Sequence, residues 1–184
     1  MKALLVVLMM LVAWDLPATE DTRRARSQEI AQRFQTALGE RLSEALGMGG
    51  PVAAIAVCRQ DAPGIAARLS VESGAQVGRT ALRVRNPANV PDALARAVLE
   101  GFEQAVASGT SAPLEYYVAE PNGRARYYKA IITQPACLGC HGPVLDPMVA
   151  ETIAQHYPLD QATGFAAGEL RGAFVVEWPA TGGK

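Results

Sequence analysis

Cysteine and histidine are both scarce, with three of the former and two of the latter in 184 residues. A structural zinc site takes about four sulfur or nitrogen ligands, usually in paired knuckles, and this chain has no second pair to offer. An excess of either charge is also missing. The formal net charge is −1 and charged residues make up 19%, which fits a globular chain without a polyanion-binding surface and argues against a nucleic-acid partner. Long hydrophobic runs are absent too. The longest, Ala3 to Trp14, has twelve residues, short of the roughly 20 needed to cross a bilayer core. Internal repeats and low-complexity tracts do not occur, and the length suits one domain with a sizeable core.

What is present begins with an address. Lys2 precedes the apolar run, and Pro17, Ala18 and Thr19 follow it before charge accumulates, the layout of a secretory signal. We expect a signal peptide over residues 1–19, cleaved near Ala18 or Thr19. The mature domain, residues 20–184, is then exported to the periplasm or otherwise outside the cytoplasmic membrane. In an oxidising compartment thiols tend to be paired, modified or buried.

Hydrophobic spacing gives the elements. Ile30, Phe34, Leu38, Leu42 and Leu46 recur every four residues and predict a long amphipathic N-terminal helix, ended by Gly47, Gly49 and Gly50. The run Val52 to Cys58 reads as a short buried strand, and Asp61 and Pro63 as the start of a following helix. Leu82 and Val84 alternate with Arg79, Arg83 and Arg85 in a half-buried strand or extended segment stopped by Pro87. A second long helix spans Pro91 to Ser108. Two strands, Leu114 to Ala119 and Ala125 to Thr133, flank the hairpin turn at Pro121, Asn122 and Gly123. A short helix from Pro147 to about Gln155 and a last strand, "GAFVVEW", complete the order. Such a chain suits an α+β domain, an antiparallel sheet with its helices gathered on one side.

The chemistry concentrates in "QPACLGCHGP", where Cys137, Leu138, Gly139, Cys140 and His141 form C-x-x-C-H. This is the attachment pattern of haem c. Two thiols three positions apart can each add across one vinyl group of a porphyrin, while the adjacent histidine is carried beneath the iron as proximal ligand. A disulfide-exchange C-x-x-C lacks its thioredoxin-like surroundings here, and a purely structural disulfide leaves His141 unexplained. For the opposite axial position the residues leave three candidates open: Cys58, His156 and Met148. The choice sets the redox function, since methionine gives a higher potential than histidine, and an anionic thiolate favours ferric iron more than either. Arg59 and a nearby helix start favour thiolate at Cys58. The propionates of a partly buried haem need cationic partners, and Arg79, Arg83, Arg85 and Lys129 are the candidates.

Four blocks, "AVCRQDAPGIAARLS", "VGRTALRVRNPANVPDALARAVLEGF", "CLGCHG" and "YPLDQATGFAAGELRGAFVVEWP", together resemble a bacterial family of single-haem c-type domains with a PAS-like fold, long catalogued as a domain of unknown function. The resemblance implies a PAS-like antiparallel sheet flanked by helices, one covalently bound haem c, and a His/Cys axial pair, with His141 proximal and Cys58 distal. Its members occur alone or as the sensor half of signalling chains. The expectation is an exported cytochrome, not an enzyme, that acts in electron transfer or redox sensing with a redox or signalling partner. The alternative is a sensor of a small gas such as NO or CO.

Overall fold

The structure, a computed structural model, describes residues 20–110 and 113–180, so the expected signal over residues 1–19 lies outside the described part. Helix α1 runs Glu20–Ala56 and is broken at Gly49 and at Gly50, whose φ is 66°. A π turn, Val57–Asp61, leads straight into α2, Ala62–Ser73. Then come β1, Gln76–Thr80, and α3, Ala93–Ala107. The hairpin follows as β2, Glu115–Ala119, and β3, Ala125–Ile132. Short α4, Leu138–His141, α5, Pro147–His156, and β4, Leu170–Trp178, end the described chain.

The four strands form one antiparallel sheet in the order β1-β4-β3-β2. The central strands β4 and β3 are buried on both faces. Phe174, Val176 and Tyr127 meet Phe34, Leu38, Leu69 and Val77 on the side of α1 and α2. Val175, Ala173 and Tyr128 meet Leu99 and Phe102 of α3 on the other. The expected α+β architecture is therefore present with one change: helices cover both faces, not one. The continuous apolar stretch in β4 reflects this, because a strand covered on both sides has no polar alternation to show.

Three further expectations are corrected. Val52 to Cys58 is helical, since Pro51 suits a first helical turn, where no amide partner is lost, and Ala53, Ala54 and Ala56 are strong helix formers. The run is apolar throughout because the helix is wedged between two clusters: Ala54 and Val57 face the main core, and Val52 and Ile55 face Val149, Ile153 and Tyr157. Asp61 does not cap α2, which continues from the π turn without a break; its carboxylate accepts from Arg41 Nε at 2.8 Å. In the arginine-rich stretch the strand lies upstream, at Gln76–Thr80, and residues 81–86 leave the sheet. The hairpin agrees with expectation: Gly123 adopts φ 82° and donates to the Glu120 carbonyl at 2.9 Å.

One buried polar chain ties α1 to the sheet. The Trp178 indole N–H donates to Ser27 Oγ at 2.8 Å, and that hydroxyl donates to the Arg23 carbonyl at 2.8 Å. Ser27→Ala leaves the indole unpaired in the core. We expect a loss of about 1–3 kcal/mol in urea unfolding, with much of it recovered when Trp178→Phe removes the stranded donor as well.

Candidate functional site

The motif is held on one tight turn that follows β3. Pro135–Cys137 form a single 3-10 turn and Leu138–His141 a single α turn, so the side chains of Cys137, Cys140 and His141 fan out from consecutive turns of backbone. All three cysteines are free thiols. The Gln134 amide donates to Cys137 Sγ at 3.3 Å. Cys140 turns inward beside Val52, Leu145 and the cluster between α1 and α5, with its Sγ 3.8 Å from the Pro51 carbonyl. Burial pushes the Cys140 thiol up from its ordinary pKa. Gly142 ends the turn where a Cβ would stand 2.5 Å from the Leu138 carbonyl oxygen, so no larger residue fits without moving the motif.

His141 is fixed by its neighbours. Its Nδ1 lies 2.6 Å from the Ala162 carbonyl, which makes Nδ1 the donor and leaves the Nε2 lone pair free to bind a metal. A carbonyl behind the ring sets the tautomer and orientation, as second-layer partners of ligating histidines commonly do. Burial, followed by the charges of Arg171 and Arg85, lowers the imidazole pKa to about 3, so the ring is neutral over the physiological range. The Phe165 ring meets it edge-on, with centroids 6.3 Å apart. Backbone bonds close the frame: Phe165 N donates to the His141 carbonyl and Gly164 N to that of Gly142, each at 2.9 Å.

The remaining candidates separate. Cys58 sits in the π turn, half-buried, and shares its neighbours with His141: the charge of Arg79 is coupled to Cys58 and also reaches His141. A π turn inserts an extra residue into a helix and frequently marks a functional position. Tyr157, 8% exposed, is another shared neighbour of Cys58 and Arg79. The other two distal candidates lie outside. Met148 is 68% exposed, and His156 is exposed with its Nδ1 3.3 Å from Arg59 Nη1. Among the described residues, no three His, Cys, Asp or Glu side chains converge on a common metal-sized point, so the zinc alternative has no donor set.

The four basic residues chosen from the sequence have four different surroundings. Arg79 stays beside Cys58 and 5.8 Å from the Phe34 ring centroid. Arg83 lies over Phe165 at 3.9 Å. Arg85 is buried and anchored through Nε and Nη2: it pairs with both oxygens of Asp160 at 3.1 Å and donates to the carbonyls of Cys140 at 2.7 Å and Ala162 at 3.2 Å. Lys129 is on the α1 side of β3, where it donates to Gln32 Oε1 at 2.6 Å, and it is not among the charges felt by His141. Sequence reasoning missed Arg171, in β4, whose pKa burial lowers to about 10. A cation within the apolar strand "LRGAFVVEW" is the signal that could have found it. Asp160, Ala162 and Phe165 had no signal at all, since a loop gives no period from which to predict facing.

The donor set and its surroundings fit a porphyrin held by this turn. Two thiols and an oriented imidazole share one site, and a buried guanidinium nitrogen, Arg171 Nε, has no partner among the described residues. The weak point of the frame is Asp160, with its side chain 8% exposed. Asp160→Leu strands a buried guanidinium, and removing one partner of such a pair costs about 3–5 kcal/mol. Urea unfolding measures that loss, whereas Glu44→Ala, which breaks an exposed pair with Arg41, leaves the midpoint near wild type.

Comparison with known proteins places this arrangement. No curated protein matches the chain. A solved structure, the crystal structure of the cyanobacterial heme-protein Tll0287, is similar at 27% identity with a TM-score of 0.60, covering 83% of this chain and 89% of that one. The Tll0287-like family description matches residues 9–179. The chain therefore belongs to the Tll0287-like family.

Proposed function

We propose that this chain is an exported single-haem c-type cytochrome that carries one electron, or reports ambient redox state, through an iron held by His141 and Cys58. Cys137 and Cys140 would each form a thioether to one porphyrin vinyl group. The observation that carries the reading is the Nδ1 bond of His141 to the Ala162 carbonyl at 2.6 Å, which presents Nε2 of a neutral ring from the same turn as two free thiols. The similar structure is described as a heme-protein, and that supports haem here. When bound, the haem supplies a reversible one-electron couple. The chain's own residues set its potential: a thiolate ligand stabilises ferric iron and lowers the potential, while the surrounding arginines raise it. Export and periplasmic residence agree with the N-terminal signal, and thioether attachment keeps a cofactor bound in that compartment.

Chain produced in a host able to mature c-type cytochromes should show an alkaline pyridine spectrum of thioether-linked haem and an intact mass increased by one haem. Bare-peptide mass in coloured or colourless material would overturn the reading. Cys58→Ala should raise the midpoint potential and change the ferric spectrum, and His156→Ala should do neither, as redox titration of both variants would establish. A ferrous spectrum unchanged by CO fits electron transfer. A CO-dependent shift favours gas sensing by displacement of Cys58.

A further inference from the structure

Positive charge exceeds negative charge around His141. Arg79, Arg83, Arg85 and Arg171 gather there, and the carboxylate among them, Asp160, gives both oxygens to Arg85. Arg79 lies against the Phe34 ring, 5.8 Å from its centroid, with its charge coupled to Cys58. Two guanidiniums remain. Arg171 reaches inward from β4, with Nη1 donating to the Arg83 carbonyl at 3.3 Å and a buried Nε without a partner among the described residues. Arg83 donates through Nε to the Gln161 carbonyl at 3.3 Å. Both lie over the same ring, Phe165, at 3.9 Å for Arg83 and 5.4 Å for Arg171, and that ring abuts His141.

A buried, unpartnered guanidinium nitrogen is costly unless something charged completes it. The planar fork of arginine matches a carboxylate in particular. We propose that Arg171, supported by Arg83 on the face of Phe165, is the carboxylate clamp for the porphyrin propionates, and that Arg85 and Lys129 are not. This rests on the haem reading above. Arg85 is excluded by the Asp160 carboxylate and the two carbonyls that hold its Nε and Nη2, and Lys129 by its place against Gln32.

The test uses haem-loaded full-length wild type, Arg171→Met and Arg171→Lys. Haem content is measured first, by pyridine spectrum and intact mass, then the propionate bending band by resonance Raman and the midpoint potential. Arg171→Met should keep the covalent haem, shift the propionate band and lower the potential, because a cation that disfavours ferric iron is gone. Arg171→Lys keeps the charge but loses the fork, so the band should shift while the potential stays near wild type. If Arg171→Met does not accumulate as folded protein, the band of Arg171→Lys decides. Haem-containing variants with the wild-type band overturn the clamp alone. A wild type without haem overturns the haem reading, and the clamp with it.

Discussion

The buried pair of Arg85 and Asp160 joins segments far apart in the chain. Arg85 comes from the irregular stretch after β1, Asp160 from the loop before β4, and the carbonyls that share the guanidinium belong to Cys140 and Ala162. Ala162 in turn receives the Nδ1 proton of His141. A single cation therefore sets the position of the turn bearing the thiols and of the acceptor behind the imidazole. Replacing such a pair by apolar residues often leaves stability unchanged or improved. Its role here is geometric: four hydrogen bonds from one rigid planar group fix the relative placement of the segment after β1, the motif turn and the loop before β4.

The same arrangement explains how so polar a site is tolerated beside a core. The sheet gives one face to α1 and α2 and the other to α3, and the motif sits at its margin, where β3 and β4 run out into turns. The arginines near His141 are accommodated by aromatic faces, a carboxylate and carbonyls. Burial first, and then the charges of Arg171 and Arg85, keep the imidazole uncharged, the state a ligand requires.

Fold and site were legible in the sequence to different depths. The spacing of Ile30, Phe34 and Leu38 marks one buried helical stripe, and the turn at Asn122 and Gly123 marks the hairpin, because local chemistry determines both. Val52 to Cys58 reads as a strand in the sequence for a physical reason: a short apolar run buried on two sides loses the period that separates helix from strand. The alternation around Arg83 and Arg85 marks a half-buried segment but not its partners: both side chains are held by a segment nearly eighty positions later, through Asp160, Gln161 and Phe165. C-x-x-C-H was readable because its whole meaning is local. The residues that hold it are not, since loop–loop contacts leave no trace in local pattern.

The π turn at Val57–Asp61 bears on how this stretch can change in length. An α-helix advances about 100° per residue, so the single extra residue sets the azimuth of everything downstream relative to Ile55 and Val57, which are anchored on opposite flanks. Shortening the stretch by one position would relax it to ordinary helix and rotate Cys58 and Arg59 away from their present directions while each residue type was preserved. Insertions and deletions should therefore be tolerated at the Pro121–Gly123 tip and rejected here.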